Sequence, residues 1–272
     1  MIRGLFSAVV GTVLMVSGSP AQATDCIELG GLFKNLDTAQ AIQLKASGAA
    51  GKTYKKLYDV CDKLNTFNGK PLPKYGNPPK RRKCSTDPNM VKGIWKFPDG
   101  TIVFISKASV DADGSPLSQS ATGTNQPETS LKWDDTGKSV DAEAVPFIVI
   151  PLNRAGVSFS TDAGVTTGDL NIAVRGNKCS ADIVADQGPG FRLGEGSLRM
   201  HEDLGNPQCV VANQVPCKKL VGGGSGRGLP SVGYIIFPDS KRSQINVSDL
   251  AAIQSAAMDR AMVFLRKFQR AP

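Results

Sequence analysis

Two acidic residues of this 272-residue chain flank one glycine-rich loop. Asp186 follows the strand-like run Ala181–Ala185, then Gly188, Pro189 and Gly190 turn the chain, and Glu195, between Gly194 and Gly196, opens the next run. Nine positions separate them, and a hairpin-like loop of that length can aim both carboxyl groups into one cleft. A protonated and an ionised carboxyl facing each other over a cleft are the minimum machinery for glycoside hydrolysis. The plainer reading is a pair of turn residues and surface charge. The flanking glycines leave room for a polymer to approach the backbone. Two more acidic groups precede this pair. In Asp111-Ala112-Asp113-Gly114, one intervening residue puts both side chains on one face of an extended chain, and Gly114 allows a sharp turn. A calcium loop of EF-hand type is excluded there, because the later carboxylates and the closing Glu are missing. The second group, Val140-Asp141-Ala142-Glu143, leads into the apolar run Val145–Leu152.

Other chemistries are poorly supplied. A single histidine, His201, rules against a His-based triad or a multi-His metal site, so acid–base work falls to carboxylates. No C-x-x-C pair exists, which argues against zinc, and the six cysteines are expected as three disulfides with fifteen possible pairings. Cys209 and Cys217 are close enough to close a small loop. Gly222–Gly228 matches neither a dinucleotide fingerprint nor a P-loop. No metal and no cofactor are expected. Trp95 and Trp133 could stack on sugars or fill a core.

These residues must be positioned by elements of two kinds. Tyr54, Leu57, Tyr58, Cys61 and Leu64 recur at helical spacing, so a helix is predicted over Thr53–Phe67 with Thr53 as its N-cap. A shorter helix is predicted over Asp37–Ala46. From Gly93 the pattern turns to short β-branched runs separated by Gly, Asp and Asn: Thr101–Ser106, Val145–Leu152, Gly156–Ser160, Leu170–Val174, Ala181–Ala185, Ser197–Met200 and Val232–Phe237. Leu250, Ile253, Ala257, Ala261, Phe264 and Phe268 form one stripe of a C-terminal helix, capped by Asn246 with Asp249 three residues on. The expected fold is mainly β (α+β): a six-stranded β-barrel-like core with flanking N- and C-terminal helices, a sandwich being the alternative. The expected organisation is a signal peptide over 1–23, an N-terminal helical region with a basic Pro-rich loop over 24–92, a β-rich catalytic domain over 93–240, and a C-terminal helix over 241–272 packed on the barrel.

The signal peptide rests on Arg3, the apolar stretch Leu5–Val16 and Ala21-Gln22-Ala23, an A-x-A cleavage site that makes Thr24 the first mature residue. The stretch is too short to span a membrane, so a secreted protein, extracellular or periplasmic, is expected. Net charge is +8 and unevenly spread: residues 24–100 carry +7, residues 101–205 carry −6, and residues 206–272 carry +6. The best-organised part of a basic protein is therefore acidic, which does not suit a nucleic-acid reader. The run Lys80-Arg81-Arg82-Lys83 reads as a solvated loop, with a weaker reading as a holder of anionic wall polymer.

Taken together, Val110-Asp111-Ala112-Asp113-Gly114, Gly137-Lys138-Ser139-Val140-Asp141-Ala142, the strand after Pro146, Ala185-Asp186 and Gly194-Glu195-Gly196-Ser197 resemble glycoside hydrolase family 75, the fungal-type chitosanases. The resemblance covers roughly residues 93–240. It implies an endo-acting enzyme that cleaves β-1,4 links of chitosan with inversion, with Asp186 and Glu195 as the essential pair. Ala185 stands where the family has Gly, and Gly196 where it has Ala. Residues 24–92 have no counterpart. On this reading Glu195 is the general acid and Asp186 the general base for water. Asp111, Asp113, Asp141 and Asp169 would line subsites that pair with glucosamine ammonium groups, offsetting the repulsion between a basic protein and a polycation. Asp111 and Asp113 could equally brace their loop. The expected partner is the polysaccharide itself, with no nucleic acid and no membrane span, for a monomer. The alternatives are a hydrolase of another wall glycan and a non-catalytic glycan-binding or envelope protein with an inert acid pair.

Overall fold

The computed structural model describes residues 20–34, 38–75, 80–81, 84, 93–117, 126–133, 136–212, 214–222, 226–242 and 249–268. The apolar stretch Leu5–Val16 and Asn246 lie outside them. In chain order come helix α1 (Pro20–Lys34), strand β1 (Ile42–Gln43), helix α2 (Tyr54–Leu64), and two small hairpins, β2 (Thr66–Phe67) with β3 (Lys70–Pro71) and β4 (Lys74–Tyr75) with β5 (Lys80–Arg81). Strands β6 (Gly93–Lys96), β7 (Ile102–Asp111) and β8 (Phe147–Pro151) follow, then helix α3 (Phe159–Ala163), β9 (Leu170–Arg175), β10 (Lys178–Gly188), β11 (Glu195–Ser197), helix α4 (Leu198–Asp203), β12 (Leu229–Phe237) and helix α5 (Leu250–Phe268).

Six strands close into a mixed barrel in the order β7-β11-β8-β10-β9-β12, with β12 returning to β7. The β7–β11 and β8–β10 pairs are parallel and the rest antiparallel. β6 and β1 extend the sheet from β7. β7 thus has three neighbours: β6 along Ile102–Ile105, β12 from Ile102 to Ala108, and β11 along its last three residues. The fold is the expected barrel rather than a sandwich.

Strand alternation divides the core in two. Ile102, Phe104, Ile148, Val184 and Tyr234 share one cluster, in which the Phe104 and Tyr234 rings stack at 4.7 Å. Val103, Phe147, Val149, Ile172 and Ile183 join the other, which is covered by α1 and by the Ile253, Ala257, Ala261 and Phe264 stripe of α5. Since those helices pack outside the wall, the Phe104 and Tyr234 side is the barrel interior.

Thr53 caps α2 as expected, its side chain accepting from the Lys56 amide. α5 is capped by Asp249, whose Oδ1 accepts from the Ala252 amide. Three expected elements differ. Of the helix expected over Asp37–Ala46, residues 38–46 instead form a turn leading into β1, because Ile42 and Gln43 find ladder partners in Lys96 and Trp95. Gly156–Ser160 enters α3, since the Ser158 hydroxyl accepts from the Thr161 amide as a helix cap. Ser197 ends β11 and caps α4 through the Met200 amide, so 197–200 is not a strand.

Disulfides join Cys26 to Cys179, Cys61 to Cys84 and Cys209 to Cys217. All six cysteines are therefore bonded, leaving no thiol for zinc, and the chain suits an oxidising compartment. The first pair ties α1 to β10. Among the described residues no helix is long and apolar enough to cross a membrane.

Candidate active site

Asp186 owes its direction to a β-bulge. On β10, Val184 faces Ile148 and Asp186 faces Val149, so Ala185 is an extra residue that re-aims the rest of the strand. The Asp186 carboxylate is buried, and its Oδ1 accepts from Ser130 twice, at 2.7 Å from the amide and 2.6 Å from the hydroxyl. Two donors on one oxygen fix its orientation.

Glu195 opens β11 as expected. Gly196 faces Ile148 on β8, so the antiparallel step sets Glu195 across from Val149 as well. Asp186 and Glu195 therefore flank Val149 from either side, with backbones about 9–10 Å apart, two strand spacings. A Cβ added to Gly188 would lie 3.0 Å from both Glu195 Oε2 and Val149 Cγ1. Gly188 shares its face with Asp186, two residues back, so all four stand on one side of the wall. Gly196 turns inward onto Met200, whose thioether occupies the space a Cβ would need.

The Asp111–Gly114 segment is a continuation of β7 and then a turn. The strand runs on to Asp111, beyond its expected end near Ser106. Asp111 Oδ1 accepts from the Asp113 amide at 2.8 Å, so Asp113 lies in a turn and not on an extended chain. Gly114 has φ +78° and packs against the Val140 carbonyl, which brings the Asp141 turn alongside. Asp111, Asp113 and Asp186 each place a carboxylate oxygen within 4.8 Å of the others. Burial, then Asp113, Glu195 and Asp186, hold the Asp111 carboxyl well above the usual carboxylate range. Such a trio could offer three oxygens to a hard cation, fewer than the six to eight that calcium takes.

Cations complete the other side. Arg192 Nη1 lies 3.6 Å from Glu195 Oε1. Lys107, two residues before Ser109 on β7, is buried and donates to Ser109 Oγ at 2.6 Å. Ser109 is the ladder partner of Glu195.

Of the expected subsite residues, Asp111 and Asp113 join Asp186. Asp141 is half-buried at the neighbouring turn, where its Oδ1 accepts from the Glu143 amide and burial raises its carboxyl above the usual range. Asp169 is corrected: it is fully buried and accepts from the Thr166 and Lys241 amides and the Ser240 hydroxyl, so it joins β9 to the turn after β12 and presents no surface to a sugar. Trp95 and Trp133 pack partly buried against the outer core. His201 is buried beneath the site, with Nε2 on the Ser109 carbonyl and Nδ1 facing the Asn206 amide nitrogen; burial pulls its imidazole down to about 4. Sequence reasoning missed Ser130, Lys107 and Arg192. The one available signal was that eight basic residues occur in the acidic stretch 101–205, two of which converge here.

No family model matches this chain, and no curated protein matches it.

Proposed function

We propose that the protein is a glycoside hydrolase that cuts β-1,4 links within chitosan by inversion, as its resemblance to glycoside hydrolase family 75 implies. The observation that carries this reading is the pairing of Asp186 and Glu195 across Val149 on one face of the barrel wall. Backbones two strand spacings apart leave room for a water and a glycosidic bond between the two side chains. Asp186, held by Ser130, takes the proton of the attacking water. Glu195 gives its proton to the leaving oxygen. Asp111 and Asp113 meet the aminosugar, where a neutral or shared-proton carboxyl pairs with an ammonium through hydrogen bonds.

The test uses soluble chitosan, reading viscosity and new reducing ends, and reading the anomer of the first product by proton NMR. Rapid viscosity loss with α-anomer release from β-links is expected. Asp186→Asn and Glu195→Gln should each lower kcat at least about 1000-fold. Retained activity in both variants, or binding without new ends, overturns the proposal.

A further inference from the structure

Lys107 is an expensive residue to place where it is. A buried ammonium strongly disfavours the fold unless it is paired and hydrogen-bonded. Its side chain hydrogen-bonds Ser109 Oγ, and among the described residues no carboxylate lies within ion-pair distance of it. The backbone beneath it is clamped: the Tyr234 hydroxyl donates to the Lys107 carbonyl at 3.1 Å, and Gly194 packs on that same carbonyl with no room for a Cβ. The Ser106 hydroxyl reaches the Leu193 carbonyl, and the Ser109 amide the Gly194 carbonyl. Both clamps bear on the two residues that lead into Glu195.

We propose that Lys107 is a positioning residue whose fixed positive charge, presented through Ser109 across the strand pair, stabilises the Glu195 carboxylate as it forms during glycosidic cleavage. This rests on the proposed function. As C1–O breaks, the proton leaves a Glu195 oxygen for the glycosidic oxygen, and Glu195 gains a negative charge amid Asp111 and Asp186. A cation already in place opposes that cost without reorganisation. Among the described residues, Lys107 and Asp111 of β7, Arg192 of the preceding loop and Asp186 of β10 stand around Glu195, the Tyr234 phenol of β12 feels its charge from the barrel interior, and Asp62 of α2 acts on Lys107. Arg192 is a third exposed, whereas Lys107 is buried, so Lys107 is the less screened of the two cations. Burial first, then Arg192, pulls its ammonium down to about 8, against the pull of Glu195 and Asp62.

The experiment compares wild type, Lys107→Met and Lys107→Arg. With soluble chitosan, Lys107→Met should lower kcat about tenfold with little change in KM, and move the alkaline limb of the kcat profile up by about one pH unit. Lys107→Arg should keep the wild-type limb. Titration of carbon-13-labelled Glu195 should show the same upward move in Lys107→Met, whether or not chitosan is cleaved. If wild type makes no new ends, the proposed function falls and this titration alone decides the role of Lys107. An unmoved Glu195 midpoint in Lys107→Met, or an equal move in Lys107→Arg, overturns the inference. If Lys107→Met does not fold, Ser109→Ala, which unties the ammonium, should raise the Glu195 midpoint, and an unmoved midpoint there overturns it.

Discussion

Ser130 gives Asp186 two donors, and an alanine there removes the hydroxyl while keeping the amide. Ser130→Ala should lower kcat on chitosan about tenfold, the scale of one charge-assisted hydrogen bond, with KM nearly unchanged. Steady-state kinetics check it. An unchanged kcat would show that the backbone amide alone holds the base. The partnership was invisible in the sequence because 56 positions separate the two residues. Asp186 and Glu195 were legible, since they share one loop and its glycines announce it. Lys107 and Arg192 were not: a cation two residues from a serine says nothing until the β7–β11 ladder sets that serine opposite Glu195.

At the scale of elements, the β7 turn and the turn before β8 interlock through Gly114. Its φ of +78° and its contact with the Val140 carbonyl leave no room for a side chain. Gly114→Ala should cost about 2 kcal/mol from the left-handed backbone and the forced separation, and reduce activity by displacing Asp113 from Asp186. Denaturant unfolding and kinetics on one preparation check both effects. Short β-branched runs such as Val232–Phe237 were read correctly because a strand buried on both faces of the wall is a continuous apolar run bounded by turn residues. Gly156–Ser160 and Ser197–Met200 misled for one shared reason. Each has an apolar neighbour beside a serine, and the serine's hydroxyl turned out to cap a short helix. Short caps of this kind outweigh local strand propensity.

For the whole molecule, burial raises the carboxyls of Asp111, Asp141, Glu143, Asp169, Asp182, Glu202 and Asp203. A carboxyl that holds its proton more tightly folded than unfolded stabilises the fold below its ordinary pKa, and loses that contribution as pH rises through the folded value. His201 works the other way: its imidazole is depressed to about 4, so its contribution is complete above the ordinary value and falls away as pH drops towards 4. Seven raised carboxyls stand against three lowered groups, His201, the exposed Glu128 beside Lys132, and Lys107, pulled down to about 8. The balance favours mild acid, so Tm should be higher at pH 5 than at pH 8. Calorimetry at the two values tests this, and a higher Tm at pH 8 refutes it. Asp182→Asn should flatten the slope, because Asp182 is fully buried against Asn171 and Ser180. The barrel itself was legible from strand count and turn chemistry. The strand order and the pair that closes the barrel were not, because only tertiary pairing reveals that β12 returns to β7.

That returning pair has a consequence for how the protein fails. β7 is at once the seam of the cylinder and the mount for Lys107, Ser109 and Asp111. Opening the β7–β12 seam loosens the strand on which those three side chains stand, so the cylinder and the candidate site depend on one shared element.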